Sequence, residues 1–417
     1  MTPDGTPATP RRPALHRVRA ALDTPAWRDA LLALWTSRLL VLVAGIVAAA
    51  AFGFSARAED FDPAGYTIGL GSVADVVVAP FARWDSVWFL SIAGDGYDDG
   101  ARAAFFPLYP VLVGALGTVL GSDLVAGVVV SLVALTAALV ALHRLTALDF
   151  GDGVARGAVL AVAFFPMSFF LSAVYSEALY LALSVGSFLA ARTGRWAWVG
   201  VLGGCAAATR SAGIVLLLPL VIIWCKQRDR RPADLAWLAL VPAGLGVYVA
   251  GLAVAGLDPL APFDAQEVWF RSFAGPFVGA WDGAVAAWQG GRQLLSGARE
   301  PVYFVEAGGD PFLAARHNLE MFAWLVLVIP AVIGVLRRLP LEYGAYVVAA
   351  LALPLSYPVA PQPLMSFSRF ACVLFPLAIW AALWCDGHRW RGRVLLGAGA
   401  VGLAVYTGIF ATWHWTA

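Results

Sequence analysis

Asp85 stands in Arg83-Trp84-Asp85-Ser86-Val87-Trp88-Phe89, inside a tight group of charges that also holds Asp95, Asp98, Asp99 and Arg102. A hydrogen-bonded carboxylate facing an aqueous cleft can take the proton of an attacking hydroxyl. If the segment is helical, Trp84, Trp88 and Ile92 share one face, and Asp85 lies about 100° to its side. The tryptophans then suit a membrane interface, and Asp85 is left to the cleft. The other reading is that Asp85 pairs with Arg83 or caps a helix.

Five further places carry chemistry. In Ala104-Phe105-Phe106-Pro107-Leu108-Tyr109-Pro110 two prolines stand at the head of an apolar run, where they suit a first helical turn. The motif is a rigid helix entry that leaves aromatics at the interface, or a platform on which Phe106 or Tyr109 stacks a sugar. Glu177 lies deep in apolar sequence, where an ionisable side chain is costly and marks function. A turn between two short helices, with Ser176 as cap, would remove that cost. Arg210, in Thr209-Arg210-Ser211, and Arg369, in Ser368-Arg369-Phe370, are isolated arginines between apolar runs. Each either snorkels to the surface or presents its fork to phosphate oxygens, which suits a lipid phosphate. In the Asp264–Arg271 stretch, Gln266, Glu267, Trp269 and Arg271 line a sugar or acceptor site, or lie along an amphipathic interfacial helix. The Asp98-Asp99 pair is either an oxygen site for a divalent cation or a solvated turn; no other cofactor is indicated.

The elements that must position these groups are membrane helices. Hydrophobic residues make up 60% of the chain and charged residues 13%, against about a quarter charged in soluble domains, and mean hydropathy is +0.76. Apolar runs long enough to span a bilayer recur near 37–54, 104–121, 124–142, 234–256, 319–336, 343–357, 365–385 and 394–413, with more apolar sequence over 157–191 and 196–225. This implies about ten to thirteen crossings in an all-α polytopic membrane protein. Basic clusters at Arg11–Arg19, Lys226–Arg231, Arg337–Arg338 and Arg389–Arg393 place those loops in the cytoplasm. Segment 57–103 holds eight acids against three arginines; with 257–317 it forms two large extracytoplasmic loops. The middle does not close. Two short helices over 196–225 conflict with a cytoplasmic N-terminus unless a further crossing is hidden, whereas one long span leaves Arg144, Arg156, Arg192 and Arg195 outside. Residues 1–26, with Pro, Thr and scattered Arg, read as a disordered cytoplasmic tail ahead of a single transmembrane domain, 27–417. GxxxxGK[ST], a GxGxxG with its acid, and HExxH are all absent from the sequence, which weighs against ATP-driven transport and classical nucleotide binding. Nothing points to nucleic acid.

Taken in order, these pieces resemble the PIG-V family of membrane mannosyltransferases. The resemblance rests on Arg83-Trp84-Asp85 with Ile92-Ala93 and Gly96-Tyr97, then Phe105-Phe106-Pro107-Leu108-Tyr109-Pro110. It continues through Tyr175-Ser176-Glu177, Thr209-Arg210-Ser211 with Gly213, Gln266 to Arg271, and Ser368-Arg369-Phe370 with Phe375-Pro376. It implies a GT-C type fold and transfer of a sugar, typically mannose, from a polyprenyl-phosphate donor to a hydroxyl on the lumenal or extracytoplasmic side. The acceptor would be a glycolipid, glycan or protein, with membrane lipids as surroundings. A carboxylate in the first outer loop is the base of such enzymes or lies beside it, and Asp85 is the match. The substrate-binding residues would then be Arg83, Trp84, Tyr97, Phe106, Tyr109, Glu177, Arg210, Gln266, Trp269, Arg271 and Arg369. Trp88-Phe89 and Phe370 depart from tyrosines common at those positions. Usage rich in Ala, Gly, Val and Arg, with Lys226 the only lysine, suggests a GC-rich bacterial gene and hence a multi-pass plasma-membrane enzyme. The rival functions are a flippase for a lipid-linked sugar, with the intramembrane charges forming its path, and a non-catalytic subunit of a cell-envelope glycan assembly complex.

Overall fold

The computed structural model describes residues 24–416 other than 69, 99, 298, 300–309 and 361. Most of the expected N-terminal tail therefore lies outside the described residues, and its last two positions already belong to a helix. Every regular element among the described residues is helical, apart from an isolated antiparallel bridge between Arg271 and Val359. Buried side chains from Ala26 to Trp413 share one hydrophobic cluster. The chain is a multi-pass helical membrane protein. Five helical stretches are long and apolar enough to cross a bilayer by themselves.

The first, α1 (Pro25–Phe52), starts on a proline, whose missing N–H is tolerated there, and ends at Gly53 with φ +69°. Its 28 residues reach about 42 Å. Four shorter helices follow: α2 (Arg57–Phe61), α3 (Ser72–Val78), α4 (Ser86–Asp95) and α5 (Leu108–Leu120). The 57–103 segment, expected as an extracytoplasmic loop, thus carries short helices of its own. Ser122 then caps α6 (Asp123–Phe150), its hydroxyl accepting from the Val125 N–H at 3.3 Å.

The middle of the chain runs out and back. Helix α7 (Asp152–Ala163) rises from the end of α6, and α8 (Glu177–Arg192) returns to it. Helix α9 (Trp196–Ala207) rises again, and a 3-10 turn at Ser211–Leu216 leads into the returning α10 (Leu217–Lys226). The ends are tied together: Arg192 pairs with Asp149 and, at 3.3 Å, with Glu342, while Lys226 reaches Glu342 at 2.6 Å. The 196–225 run is therefore two limbs, as is 157–191, which is broken at 164–176, and the count closes because 104–121 is no separate crossing: α5 folds back along the opening turns of α6, its Tyr109 hydroxyl on Gly127 and Ser131. Arg144, Arg156, Arg192 and Arg195 accordingly stay at the basic end. Periodicity could not show this break, because distant residues satisfy its backbone. Arg38 of α1, 7% exposed, donates to the carbonyls of Ser168 at 2.6 Å and Ala163 at 3.0 Å, and to the hydroxyls of Ser168 and Ser172. Irregular backbone at membrane depth persists only where protein groups supply such bonds.

After α11 (Asp234–Leu238) and α12 (Leu240–Val254), the 257–317 segment carries α13 (Ala261–Val268) and α14 (Val278–Ser296) before α15 (Pro311–Arg338) returns to the basic end. Helices α9 and α12 meet backbone to backbone: a Cβ on Gly244 would lie 2.0 Å from the Gly204 carbonyl oxygen, the close approach that small residues allow in membranes. A third out-and-back pair comprises α16 (Leu341–Ser356), the short α17 (Phe367–Cys372) and α18 (Phe375–Cys385). Helix α19 (Arg389–Ala411) closes against α1, and the Ser55 N–H reaches the Thr412 carbonyl at 3.1 Å.

Candidate active site

The three out-and-back pairs start and finish at the basic end, and the breaks at their far ends come together. The first break delivers Glu177, the second Arg210 and the third Arg369; all are polar groups at helix ends. Glu177 is the first residue of α8, where a carboxylate is favoured by the unpaired N–H groups of the opening turn. Against them lies Asp85, directly before α4.

Asp85 Oδ2 accepts from Arg369 Nη1 at 2.6 Å, and Arg369 Nε lies 3.4 Å from Glu177 Oε1. Glu177 Oε1 also accepts from Arg210. Three guanidiniums converge on Phe370, their centres 5.5 Å (Arg210), 5.9 Å (Arg271) and 5.6 Å (Arg369) from the ring centroid. Arg271 also donates to the carbonyls of Tyr357 and Met365 at 3.2 and 3.4 Å. Burial, and next the Arg369 charge, push the Arg271 guanidinium down to about 10, so it remains a cation at neutral pH. Three cations against two carboxylates leave one positive charge over. Side-chain exposure is 14% for Asp85, 13% for Arg369 and 17% for Arg210, but 2% for Glu177. The first three thus reach open space, while Glu177 holds the two arginines from behind.

Tyr175 sets Asp85. Its hydroxyl accepts from the Asp85 N–H at 3.1 Å and donates to the Arg83 carbonyl at 3.0 Å, and its ring lies 5.6 Å beneath Arg369. Neither Tyr175 nor Phe370 stood out as a site residue in the sequence. An aromatic in an apolar run carries no signal until its hydroxyl or its face finds a partner distant in the chain.

Several expected residues lie elsewhere. Arg83 is fully enclosed: it donates to the carbonyls of Ala82 (2.6 Å), Thr67 (3.3 Å) and Ala411 (3.3 Å), with Phe54 and Trp413 stacked on it. It ties the outer segment to the C-terminus, and the partner of Asp85 is Arg369. Trp84 has φ +55° and precedes α4, so it shares no face with Trp88. It is buried against Phe61, Trp413 and Trp415, its indole N–H on the His414 carbonyl at 3.2 Å. Tyr109 is buried with its hydroxyl on the Gly127 carbonyl at 3.0 Å and Ser131 at 2.8 Å. Phe106 packs on Tyr248, centroids 4.9 Å apart, and the Tyr97 hydroxyl donates to the Phe105 carbonyl at 2.5 Å. These residues shape the surrounding wall. Gln266 donates to the Pro262 carbonyl at 3.5 Å within its own helix. Trp269, like Arg271, comes to the site, its ring against Trp88 and Phe105. Asp98 pairs with Arg102 at 2.8 Å, and Asp99 lies outside the described residues. Among the described residues, no group of three His, Cys, Asp or Glu side chains could hold a metal ion.

Residues 34–235 match the family model described as Mannosyltransferase (PIG-V). A mouse (Mus musculus) protein described as GPI alpha-1,6-mannosyltransferase 2 is 34% identical over 188 residues, 42% of this chain and 38% of its own length. The resemblance read from the sequence therefore holds over the first half of the chain, with Asp85, Glu177 and Arg210 inside the matched range. Arg271 and Arg369 lie beyond it, and what joins them to the other three is the geometry of the fold.

Proposed function

We propose that this chain, whose residues 34–235 match the PIG-V mannosyltransferase model, is an integral membrane glycosyltransferase. It moves mannose, with inversion, from a polyprenyl-phosphate donor to a hydroxyl on the extracytoplasmic side. The observation that carries this reading is the meeting of Asp85 with a surplus of guanidinium charge at the end of the molecule away from the basic clusters.

Arg369 covers Oδ2 of Asp85, and an oxygen so engaged is not free to meet an acceptor hydroxyl. An incoming phosphate competes for Arg369, Arg210 and Arg271, since it matches the guanidinium fork better than a single carboxylate oxygen does. As Arg369 turns to the phosphate, Asp85 is released. Asp85 then takes the proton of the acceptor hydroxyl while the hydroxyl oxygen attacks the anomeric carbon from the face opposite the phosphate. The bond from that carbon to the phosphate oxygen breaks, and the lipid phosphate leaves as an anion held by the arginines. Such a leaving group needs no general acid, so a single carboxylate base suffices. Tyr175 positions Asp85 through its backbone N–H, and Glu177 positions the two arginines. The bacterial plasma membrane remains our assignment from composition alone.

The test is transfer by purified protein in lipid, supplied with labelled polyprenyl-phosphate mannose and an extract of the host's lipids and glycans. Label in a new product supports the reading. Donor that crosses the bilayer unchanged would replace it with the flippase.

A further inference from the structure

We infer that Trp88, Phe105 and Trp269 form the subsite that grips the hexopyranose ring of the donor; this rests on the glycosyl-transfer reading of the neighbouring site. The three side chains come from separate segments: α4, the entry to α5 and the end of α13. Trp88 and Phe105 stack with centroids 5.7 Å apart and planes 13° from parallel, and Trp269 stands nearly perpendicular to both, at 5.7 and 6.1 Å. They make an aromatic corner, and all three residues are partly exposed. In the other large aromatic cluster near the outer segment, Trp84 and Trp413 are enclosed, with Phe61 and Trp415 partly exposed at its edge.

Position ties the corner to the reacting atoms. Trp88 is three residues after Asp85, on the same side of the helix one turn away. Trp269 is two residues before Arg271, whose guanidinium shares the Phe370 ring with Arg369. A sugar on a phosphate held by those arginines thus lies between the corner and the carboxylate.

The chemistry of the corner fits that ring. A pyranose has a face of C–H bonds that packs on an aromatic plane, and a rim of hydroxyl oxygens that accept hydrogen bonds. The indole N–H groups of Trp88 and Trp269 are both buried, and neither has a partner among the described residues. A buried donor left unpaired is destabilising, so two of them beside one partly open corner point to a ligand that brings acceptors.

The experiment compares binding of polyprenyl phosphate and polyprenyl-phosphate mannose to the full chain in nanodiscs, for wild type, Trp88→Leu, Trp269→Leu and Trp269→Phe. Wild type should bind the mannose-bearing lipid at least about tenfold more tightly than the bare lipid phosphate. Both leucine variants should lose that preference yet keep their affinity for the lipid phosphate, and Trp269→Phe should retain part of it. A preference undiminished in the leucine variants overturns the subsite. So does an equal loss of both affinities, which marks a purely structural role, and so does a wild type that does not distinguish the two lipids. Wild type that binds neither lipid overturns the proposed donor, and the subsite with it.

Discussion

Arg369 is the residue on which the site turns, because it contacts both carboxylates and shares an aromatic face with two other arginines. Lysine at this position would keep the charge but lose the fork that spans Asp85 and Glu177. Arg369→Lys is therefore expected to fold and to raise KM for the donor about tenfold or more, on the order of one charge-assisted hydrogen bond; steady-state kinetics over donor concentration checks it. Glu177→Ala leaves Arg210 and Arg369 facing each other without their shared counter-ion. The expected loss is about 3–5 kcal/mol of stability, read by denaturation in detergent, whereas Glu177→Gln should lose less. The five charged groups that meet in the site, Asp85, Glu177, Arg210, Arg271 and Arg369, drew attention in the sequence because each is an isolated charge, or one of a few, near apolar runs. Arg83 misled for the same reason: its charge beside Asp85 looked chemical, yet its carbonyl partners on Thr67 and Ala411 lie far off in the chain. The helical phase drawn through Trp84 and Trp88 failed because Trp84 has a positive φ and stands outside the helix.

Paired limbs place these residues, and the limbs depend on close packing and on breaks that are held open. Where α9 crosses α12, even a methyl group on Gly244 meets backbone. Gly244→Val is expected to push the two helices apart at a cost of about 1–3 kcal/mol or more, seen as a lower melting temperature. At the first break, Arg38→Met removes the donor to the Ser168 carbonyl and one of the two to the Ala163 carbonyl, which keeps the Ser168 hydroxyl at 2.7 Å. A buried acceptor left unpaired costs about 1–3 kcal/mol, and the displaced break carries Tyr175 and Glu177 with it. Donor binding should therefore weaken together with stability, and measuring both in one preparation checks this. Hydropathy showed the apolar limbs and left their breaks hidden. A broken membrane helix is recognisable only once its replacement hydrogen-bond donors are known, and Arg38 precedes the break by more than a hundred residues.

The molecule as a whole separates a basic end from the end that carries Asp85. Asp149, Arg192, Lys226 and Glu342 tie four helix ends at the basic side, and Lys and Arg are retained on the cytoplasmic face of membranes. The exposed Cys225 should react with an impermeant maleimide only after the membrane is opened, in a variant lacking the other three cysteines. A cysteine replacing Asp264 in a fully cysteine-free variant should react in intact cells, and labelling of both from the same side would refute this orientation. That orientation was readable in the charge pattern as an expectation, which the labelling tests. The convergence of three limb ends on Asp85 was not, since residues of the site stand up to 284 positions apart. The role of Asp85 itself is best tested by single-turnover transfer from bound labelled polyprenyl-phosphate mannose, comparing wild type with Asp85→Asn. The expected result is full donor binding by both proteins, with the chemical step slowed about 10²–10⁴-fold in the variant. An Asp85→Asn protein that binds donor and transfers at the wild-type rate would contradict it.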